Sequence, residues 1–266
     1  MTTQTSITNR QLQLQKIEAF RMLQVPGRPL VLYNIWDAGS AQAVAKAGAK
    51  ALATSSWAVA KAQGHSDGEQ IPYELAIHNL SRIVANVELP VSFDLESGYG
   101  EPPEQIGKNI LIAIRAGAVG CNFEDSIPAT GRVRDIAVQV DRLKGARQDA
   151  RAADIPFFIN ARCDLFFQGD SVPHDSALLA KVVERAHAYA EAGADSLFVP
   201  GLSTITLITD LVKKSPVPIN ILADSKSSIK ALADCGVSRV SYGATPYVEM
   251  LTALERAATF IHSQLR

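Results

Sequence analysis

A short phrase centred on glycine recurs along the chain and sets the spacing of the predicted elements. It stands at residues 46–49, 115–118 and 191–194, with a looser copy at 234–237. Each copy follows a helix-like segment and precedes a short apolar run. Because glycine is favoured in the left-handed residue that ends many helices, each copy predicts a helix end followed by a strand.

A second phrase, a proline that opens an apolar run, alternates with the first. Proline is tolerated at the first residue of a strand, so these runs also predict strands. Near-continuous apolar runs are typical of parallel strands that are buried on both faces. With a similar run near the start, we predict eight strands, at residues 29–35, 51–54, 90–93, 119–123, 156–160, 196–199, 218–221 and 239–242.

Eight strands with helical segments between them predict an α/β protein whose strands close into a (β/α)8 TIM-type barrel. We expect a single domain over residues 1–266, because barrels of this length form one domain. An extra N-terminal helix at 11–23 and C-terminal helices complete the expected architecture. The alternative, an open doubly wound sheet, favours a glycine-rich phosphate turn after the first strand, and residues 36–40 lack it.

Charge and composition narrow the classes of partner. The formal net charge of −1 and the lack of a dense basic run indicate that nucleic acid and anionic membranes are not partners. No apolar stretch is long enough to span a bilayer, and residues 1–6 are polar, unlike a secretion signal. We therefore expect a cytoplasmic protein. Cys121, Cys163 and Cys235 form no CxxC pair, so neither a disulfide framework nor a zinc site is expected.

Acidic residues cluster where two consecutive predicted strands end. Asp94 and Glu96 follow the third strand and Glu124 follows the fourth, at the strand ends where barrel enzymes have their active sites. Converging carboxylates repel one another unless a cation lies between them, and oxygen ligands of this kind suit Mg²⁺ or Mn²⁺. A divalent-metal enzyme is therefore the leading hypothesis, with a solvated pair of loop carboxylates as the alternative. Asp125 is expected to cap a helix instead.

Other polar residues at strand ends indicate how a substrate could be held. Arg162 follows the fifth strand, where a guanidinium grips a carboxylate or phosphate with two N–H groups, or pairs with Asp164 or Glu124. The backbone N–H groups of the turn at 55–57 can bind an anion. Asn220 stands near the end of the seventh predicted strand.

Six short motifs stand in order along the predicted barrel: Asn34-Ile35-Trp36-Asp37, Thr54-Ser55-Ser56, Asp94-Leu95-Glu96-Ser97-Gly98-Tyr99-Gly100, Phe123-Glu124-Asp125, Asn160-Ala161-Arg162-Cys163-Asp164 and Ala192-Gly193-Ala194-Asp195. Each motif is modest alone. In this order, the chain resembles the isocitrate lyase / phosphoenolpyruvate mutase superfamily over residues 33–243, which is most of its length.

The resemblance implies a Mg²⁺-dependent enzyme that acts on a small α-oxo carboxylate through a pyruvate enolate or a related metal-bound intermediate. Asp94 would contact the cation most directly, while the turn at 55–57 and Arg162 would hold the substrate carboxylate. The water shell of the metal would be held by Asp67, which alone looks like a turn residue, together with Glu96 and Glu124. The candidate catalytic residues are Arg162, Glu124 and Asp67, and the candidate substrate contacts are Ser55, Ser56, Trp57, Arg162 and Asn220.

The chain departs from the family pattern in residues 126–134, which we name the gating segment because it gates the site in relatives. Isocitrate and methylisocitrate lyases carry a Lys-Lys-Cys-Gly-His or Lys-Arg-Cys-Gly-His type motif there, and this segment has neither cysteine nor histidine. It also lacks the lysine and asparagine of a phosphonomutase loop. A hydrolase, an oxaloacetate-type decarboxylase or a different carbon–carbon lyase is therefore favoured. Glu96 stands where the family often has aspartate, which keeps the charge.

Several alternatives stay open: phosphonomutase or 2-methylisocitrate lyase activity, a metal-dependent 4-hydroxy-2-oxo acid aldolase, and a non-catalytic α-oxo acid binding protein. Arg132 or Arg134, if either reaches the closed site, favours dicarboxylates such as oxaloacetate. The resemblance also implies a homo-oligomer, either a dimer or a tetramer. The apolar stripe at 247–261 would then cross to another subunit, or it packs on its own barrel.

Overall fold

The computed structural model describes residues 8–169 and 172–264 of the 266-residue chain. The polar start, residues 1–6, lies outside this range. The eight predicted strands are confirmed, with ends shifted by at most three residues. They are β1 (Leu30–Leu32), β2 (Leu52–Ala53), β3 (Val91–Asp94), β4 (Gly120–Glu124), β5 (Phe158–Arg162), β6 (Ser196–Val199), β7 (Ile219–Leu222) and β8 (Arg239–Ser241).

The strands run parallel and close into a barrel. Their order is β1-β8-β7-β6-β5-β4-β3-β2, and β1 pairs with β8 so that Leu30 lies opposite Arg239. A parallel bridge joins Ile35, just past β1, to Thr54, just past β2. The predicted (β/α)8 TIM-type barrel is therefore confirmed. The carboxyl ends of the strands meet at one end of the barrel, which we call the rim.

Helices alternate with the strands as the sequence predicts. Within the described range they are α1 (Asn9–Met22), α2 (Ala38–Lys46), α3 (Ser56–Ala62), α4 (Tyr73–Ala85), α5 (Pro103–Arg115), α6 (Ile136–Ala152), α7 (Ser176–Glu191), α8 (Ile205–Lys214), α9 (Ile229–Asp234) and α10 (Thr245–Ser263), with a 3-10 helix at Asp164–Phe167. None of these helices combines the length and the apolar character needed to cross a membrane.

The recurring glycine ends helices as predicted. Gly48, Gly117, Gly193 and Gly236 all have positive φ, between +86° and +104°. At Gly117 the space is also restricted, because an added Cβ would lie 2.6 Å from Cγ1 of Val84. The same glycine therefore ends the helix and lets the chain turn into the next strand.

The N-terminal helix α1 closes the bottom of the barrel, opposite the rim. It was predicted at 11–23 and spans Asn9–Met22, with a capping box formed by Thr8 and Gln11. Ile17 and Phe20 are its buried residues, and the ring of Phe20 meets that of Phe158 edge-on at 5.4 Å. Burying these side chains covers the start of β5.

The last helix, α10, leaves the rim and keeps most of its surface exposed. Pro246 and Tyr247 are its buried residues, whereas Leu254, Phe260 and Ile261 are 60–64% exposed. Of the apolar stripe at 247–261, Tyr247 thus packs on its own barrel, against Trp36 and Trp57, whereas the residues from 248 onward do not.

Candidate active site

A cavity of about 170 Å³ opens at the rim, over the carboxyl ends of the strands. Side chains from the loops after β2 and β3 and from the end of β5 form one side of it. Of the predicted site residues, six line the cavity: Ser55, Ser56, Trp57, Asp67, Asp94 and Arg162.

Asp94 ends β3 and contacts the turn that begins α3. Its backbone N–H donates to Oγ1 of Thr54 at 2.8 Å, which ties β3 to the end of β2. Its carboxylate accepts from the backbone N–H of Ser56 at 2.9 Å and lies 3.5 Å from Nδ2 of Asn122. The turn at 55–57, predicted to bind an anion, therefore holds the Asp94 carboxylate in this structure.

Glu96 is buried just past Asp94, in a strained loop. It is 4% exposed and has a φ of +51°. Its carboxylate accepts from the backbone N–H of Glu69 at 2.6 Å and from the hydroxyl of Tyr99 at 2.8 Å. Burial, helped by the charges of Asp67 and Asp94, raises the pKa of Glu96 to about 7 despite these hydrogen bonds. Backbone strain of this kind concentrates at functional sites.

Asp67 lies in the loop between α3 and α4 and lines the cavity. Burial and the charge of Asp94 raise the pKa of Asp67 above its ordinary value, while Arg162 acts in the opposite direction. From its own surroundings in the sequence, Asp67 looks like a turn residue. The fold brings it within electrostatic reach of Asp94 and Glu96.

Arg162 ends β5 and is bound by two carboxylates. Its Nη1 donates to Oε2 of Glu124 at 2.8 Å, and its Nε and Nη2 donate to the two carboxylate oxygens of Asp164 at 2.6 and 3.0 Å. In the contacts described, three of its five N–H groups are used and two are left for a substrate carboxylate. The rings of Phe167 and Phe198 lie 5.3 and 6.0 Å from the guanidinium.

Burial acts on the two members of the Glu124–Arg162 pair in opposite directions. It raises the pKa of Glu124, although the neighbouring Arg162 lowers it. It lowers the pKa of Arg162, but the charges of Glu124 and Asp164 outweigh burial and raise that pKa overall. The guanidinium therefore stays charged, and Glu124 takes up a proton more readily than a free glutamate.

The predicted metal-binding carboxylates surround Asp94 without forming a cage. Across residues 8–169 and 172–264, no three His, Cys, Asp or Glu side chains are arranged to ligate one ion. Mg²⁺ commonly takes one or two carboxylates from a protein and keeps several waters. The donor set fits this mode, with Asp94 on the cation and Asp67, Glu96 and Glu124 on its waters. The charge of Asp94 raises the pKa of each of the other three, and a dication relieves this repulsion.

Asn220, predicted to contact substrate, lies below the cavity and not in its lining. It is fully buried, and its Nδ2 donates to Oγ of Ser241 at 3.2 Å. Leu222, two residues further along β7 and so on the same face of the strand, lines the cavity. The predicted strand ended one residue before the observed one, which placed the expected contact one layer too deep.

Asp125, predicted to cap a helix, is instead buried among polar groups. It is 0% exposed and accepts from the backbone N–H of Asp164 at 2.9 Å, Nη1 of Arg185 at 3.1 Å and the hydroxyl of Tyr189 at 2.7 Å. The helix prediction was wrong because the gating segment separates β4 from α6. Asp125 links β4 to the start of the 3-10 helix and to α7.

The gating segment is fastened beside the site by both of its ends. The hydroxyl of Ser126 donates to Asp164. The buried guanidinium of Arg134 binds the carboxylate of Glu101 at 2.6 Å and the carbonyl of Ser126. Arg134 is therefore held away from the cavity, and Arg132 is exposed. In this arrangement neither arginine lines the cavity, and their contact with a second substrate carboxylate on closure stays a prediction.

Several lining residues were not predicted, among them Asn122, Phe167 and Phe198. Asn122 stands two residues before Glu124 on the same face of β4, so the alternation of a strand was a signal for it. Phe198 ends an apolar strand, and Phe167 belongs to the 3-10 helix after β5. Nothing in the sequence separates these two rings from ordinary core residues.

Residues 20–262 match the sequence model of the phosphoenolpyruvate phosphomutase family. The chain belongs to this family. A proposed phosphonomutase from Burkholderia cenocepacia J2315 is 48% identical, with a TM-score of 0.91 over 93% of this chain and 98% of that chain. The 2-methylisocitrate lyase of Escherichia coli (strain K12) is 27% identical over 260 residues, covering 94% of this chain and 84% of the lyase.

A solved structure with the same fold and lower sequence identity contains bound ligands. It is a phosphonopyruvate hydrolase crystallised with oxalate and Mg²⁺, 20% identical, with a TM-score of 0.80 over 94% of this chain and 87% of that chain. Proteins similar to this chain include lyases, mutases and hydrolases. The resemblance drawn from the six motifs is therefore confirmed at the level of the family.

Proposed function

We propose that this phosphoenolpyruvate phosphomutase family member is a Mg²⁺-dependent enzyme that acts on a small α-oxo carboxylate, as a carbon–carbon lyase, decarboxylase or hydrolase. One observation carries the proposal. A cavity at the barrel rim is lined by Asp67, Asp94 and Arg162, with two further carboxyl groups of raised pKa, Glu96 and Glu124, behind them. Such a set binds both a dication and an anionic substrate.

Each part of the cavity has a task in this proposal. Bound Mg²⁺ supplies positive charge against the negative charge that develops on the keto oxygen. The two remaining N–H groups of Arg162 bind the substrate carboxylate, helped by the backbone N–H groups of the turn at 55–57 that Asp94 does not occupy. Glu124 and Asp164 fix the plane of that guanidinium.

The residues available for proton transfer favour a decarboxylase, a hydrolase or a different carbon–carbon lyase over an enzyme that cleaves 2-methylisocitrate. Among the described lining residues, none is a cysteine or a histidine. Asp67 lines the cavity with a raised pKa, so it is the acid–base candidate. The residues of the lyase gating motif have no counterpart at 126–134.

Phosphonomutase activity is the second candidate, because the Burkholderia cenocepacia protein with 48% identity is itself a proposed phosphonomutase. The gating segment argues against it, since the lysine and asparagine of such loops are missing. A substrate panel separates the two. It contains α-oxo acids, phosphonopyruvate and 2-methylisocitrate, each assayed with Mg²⁺ and with a chelator.

Asp94→Asn tests the metal site. We expect kcat/KM to fall by about a thousandfold or more, because the carboxylate that contacts the cation is lost, while the thermal midpoint stays within a few degrees. Asp224→Asn is the matched control, since Asp224 is an exposed acid after β7 outside the cavity lining. Full activity in the presence of the chelator, or in the Asp94 variant, would show that the site does not use a metal.

A further inference from the structure

The cavity lining changes character around the rim. The side formed by the loops after β2 and β3 and by the end of β5 is charged, with Asp67, Asp94 and Arg162. The side formed by β6 to β8 and the 3-10 helix is apolar. We name it the apolar face, and its residues are Phe167, Phe198, Pro200, Leu222 and Ala244.

The polar groups next to the apolar face are already bonded within the protein. Oδ1 of Asn34 accepts from the backbone N–H groups of Tyr242 and Gly243, both at 2.9 Å, and its Nδ2 donates to the carbonyl of Thr54. Oγ of Ser241 bonds with the amide of Asn220 at 3.2 Å. Because these groups already make hydrogen bonds within the protein, they are poorly placed to bind a second polar group of the substrate.

No second cation is available on this side. Of the residues that the structure describes in the cavity lining, Arg162 is the one cation. Arg134 is buried against Glu101, and Arg239 is buried below the cavity, where it donates to Asn122 at 3.0 Å. A carboxylate placed against the apolar face would therefore lose its hydration without gaining a partner.

The apolar face begins next to the guanidinium that binds the substrate carboxylate. The rings of Phe167 and Phe198 contact Arg162, and Phe167 is 54% exposed, which leaves apolar ring surface at the mouth of the cavity. A substrate whose carboxylate is bound by Arg162 would therefore have its remaining carbon atoms near these rings.

We propose that the substrate is a monocarboxylic α-oxo acid whose carbon chain beyond the bond that breaks is apolar, and that the apolar face selects it over dicarboxylic α-oxo acids. This inference rests on the proposed function, which supplies the binding of the α-oxo acid end. It differs from the sequence-based expectation of a dicarboxylate because the arginines of the gating segment are held elsewhere.

A pair of isosteric ligands tests the inference by calorimetry with Mg²⁺ present. They are 4-methyl-2-oxopentanoate and oxaloacetate, which differ in that an isopropyl group replaces a carboxylate. We expect the wild-type protein to bind the first at least about tenfold more tightly, as for an apolar group in an apolar pocket. Leu222→Lys places a cation on the apolar face and should reverse this order. Ser203→Lys, an exposed position outside the lining, is the control for added charge and should keep the wild-type order.

Oxalate separates this inference from the proposed function, because it mimics the α-oxo carboxylate end that both ligands share and lacks the rest of either chain. If oxalate binds and oxaloacetate binds more tightly than 4-methyl-2-oxopentanoate, the inference is overturned and the proposed function stands. If oxalate and both oxo acids fail to bind with Mg²⁺, the proposed function itself is wrong. The wild-type comparison decides these outcomes even if Leu222→Lys does not fold.

Discussion

At the residue level, one buried arginine lies below the charged side of the cavity. Arg239 is 1% exposed, its Nη2 donates to Oδ1 of Asn122, and its Nη1 has no partner among the contacts described. Burial lowers the pKa of Arg239 to about 10, although Asp94 acts in the opposite direction. A buried guanidinium that is only partly paired destabilises the fold, so its presence suggests a role in the site.

Replacing Arg239 with methionine is expected to raise the free energy of unfolding by about 1 to 3 kcal/mol, because a buried charge gives way to an apolar chain of similar length. Activity should fall, since Asn122 loses one of the two donors, Arg239 and Asn160, that orient its amide toward Asp94. Denaturant unfolding and kcat/KM measure the two effects. Arg239→Lys keeps the charge and should show no such gain in stability. A less stable but fully active methionine variant would contradict both expectations.

The carboxyl of Glu96 predicts how Mg²⁺ binding depends on pH. Because the pKa of Glu96 is raised to about 7, below that pH a proton competes with the cation. Mg²⁺ affinity should therefore rise with pH up to about the pKa and then level off. Calorimetry in buffers of different ionisation enthalpy measures the affinity and counts the protons released. An affinity that stays constant from about pH 6 to 8 would contradict this.

Without the metal, the same group has the opposite effect on stability. Its folded pKa of about 7 exceeds the ordinary value of 4.5, so the folded protein binds more protons than the unfolded chain between these values. Stability in a chelating buffer should therefore fall as the pH rises through this window. Glu96→Gln, which stays neutral, should reduce this dependence in urea unfolding, and the raised pKa values of Asp67 and Glu124 should account for the rest.

At the level of elements, the 3-10 helix and the loop after β6 meet at one glycine. Gly201 has a φ of +82°, and an added Cβ would lie 2.0 Å from the carbonyl oxygen of Phe166. Gly201→Ala is expected to destabilise the fold by about 3 kcal/mol, since it combines strain with a backbone clash. Gly169→Ala has a similar φ of +89° with nothing within 4 Å, so it should cost only about 1 kcal/mol. Thermal unfolding of both variants measures the cost of the clash as the difference between their losses of stability. Equal losses of stability would argue against the clash.

The gating segment is an element whose order depends on an ion pair. Removing the side chain in Arg134→Ala breaks the contacts to Glu101 and Ser126 and should loosen the segment. We expect faster amide exchange at 127–133 and a higher KM for every substrate alike. Arg132→Ala, at an exposed position, is the control and should leave both unchanged. An Arg134 effect confined to dicarboxylates would instead place that guanidinium on the substrate.

The barrel and much of its site could be predicted because they follow from local patterns. The glycine at 117 and its repeats mark helix ends, and strand order follows from the alternation. Asp94 and Arg162 were found since parallel strands bring their carboxyl ends to one rim. These inferences need only the neighbours of each residue in the chain.

The rest depended on contacts between distant parts of the chain. Asp125 was misassigned because its partners Arg185 and Tyr189 come from α7, about sixty residues later. The position of Arg134 depends on Glu101, in the loop after β3. Asn220 lies below the cavity because β7 ends at Leu222, one residue later than predicted. A shift of one residue along a strand moves a side chain to a different layer of the barrel.

For the whole molecule, α10 makes association with further copies of the chain the expected state. Its exposed apolar residues include Leu254, Phe260 and Ile261, and a run of such residues along one helix is typical of an interface. We expect light scattering to give a dimer or a tetramer. Introducing Leu254→Glu together with Phe260→Glu should shift the population toward monomers. A monomeric wild-type protein would contradict this expectation.

Hydrogen bonding is uneven around the barrel. β4 and β5 share five residue pairs, whereas in the described chain β1 and β2 meet through the bridge between Ile35 and Thr54. Because so few hydrogen bonds join these two strands, we expect the barrel to open locally most often at this joint. That joint adjoins the turn at 55–57, where the backbone N–H of Ser56 binds the carboxylate of Asp94. The weakest contact in the barrel thus lies beside the proposed substrate site, and we expect a bound substrate to stabilise it.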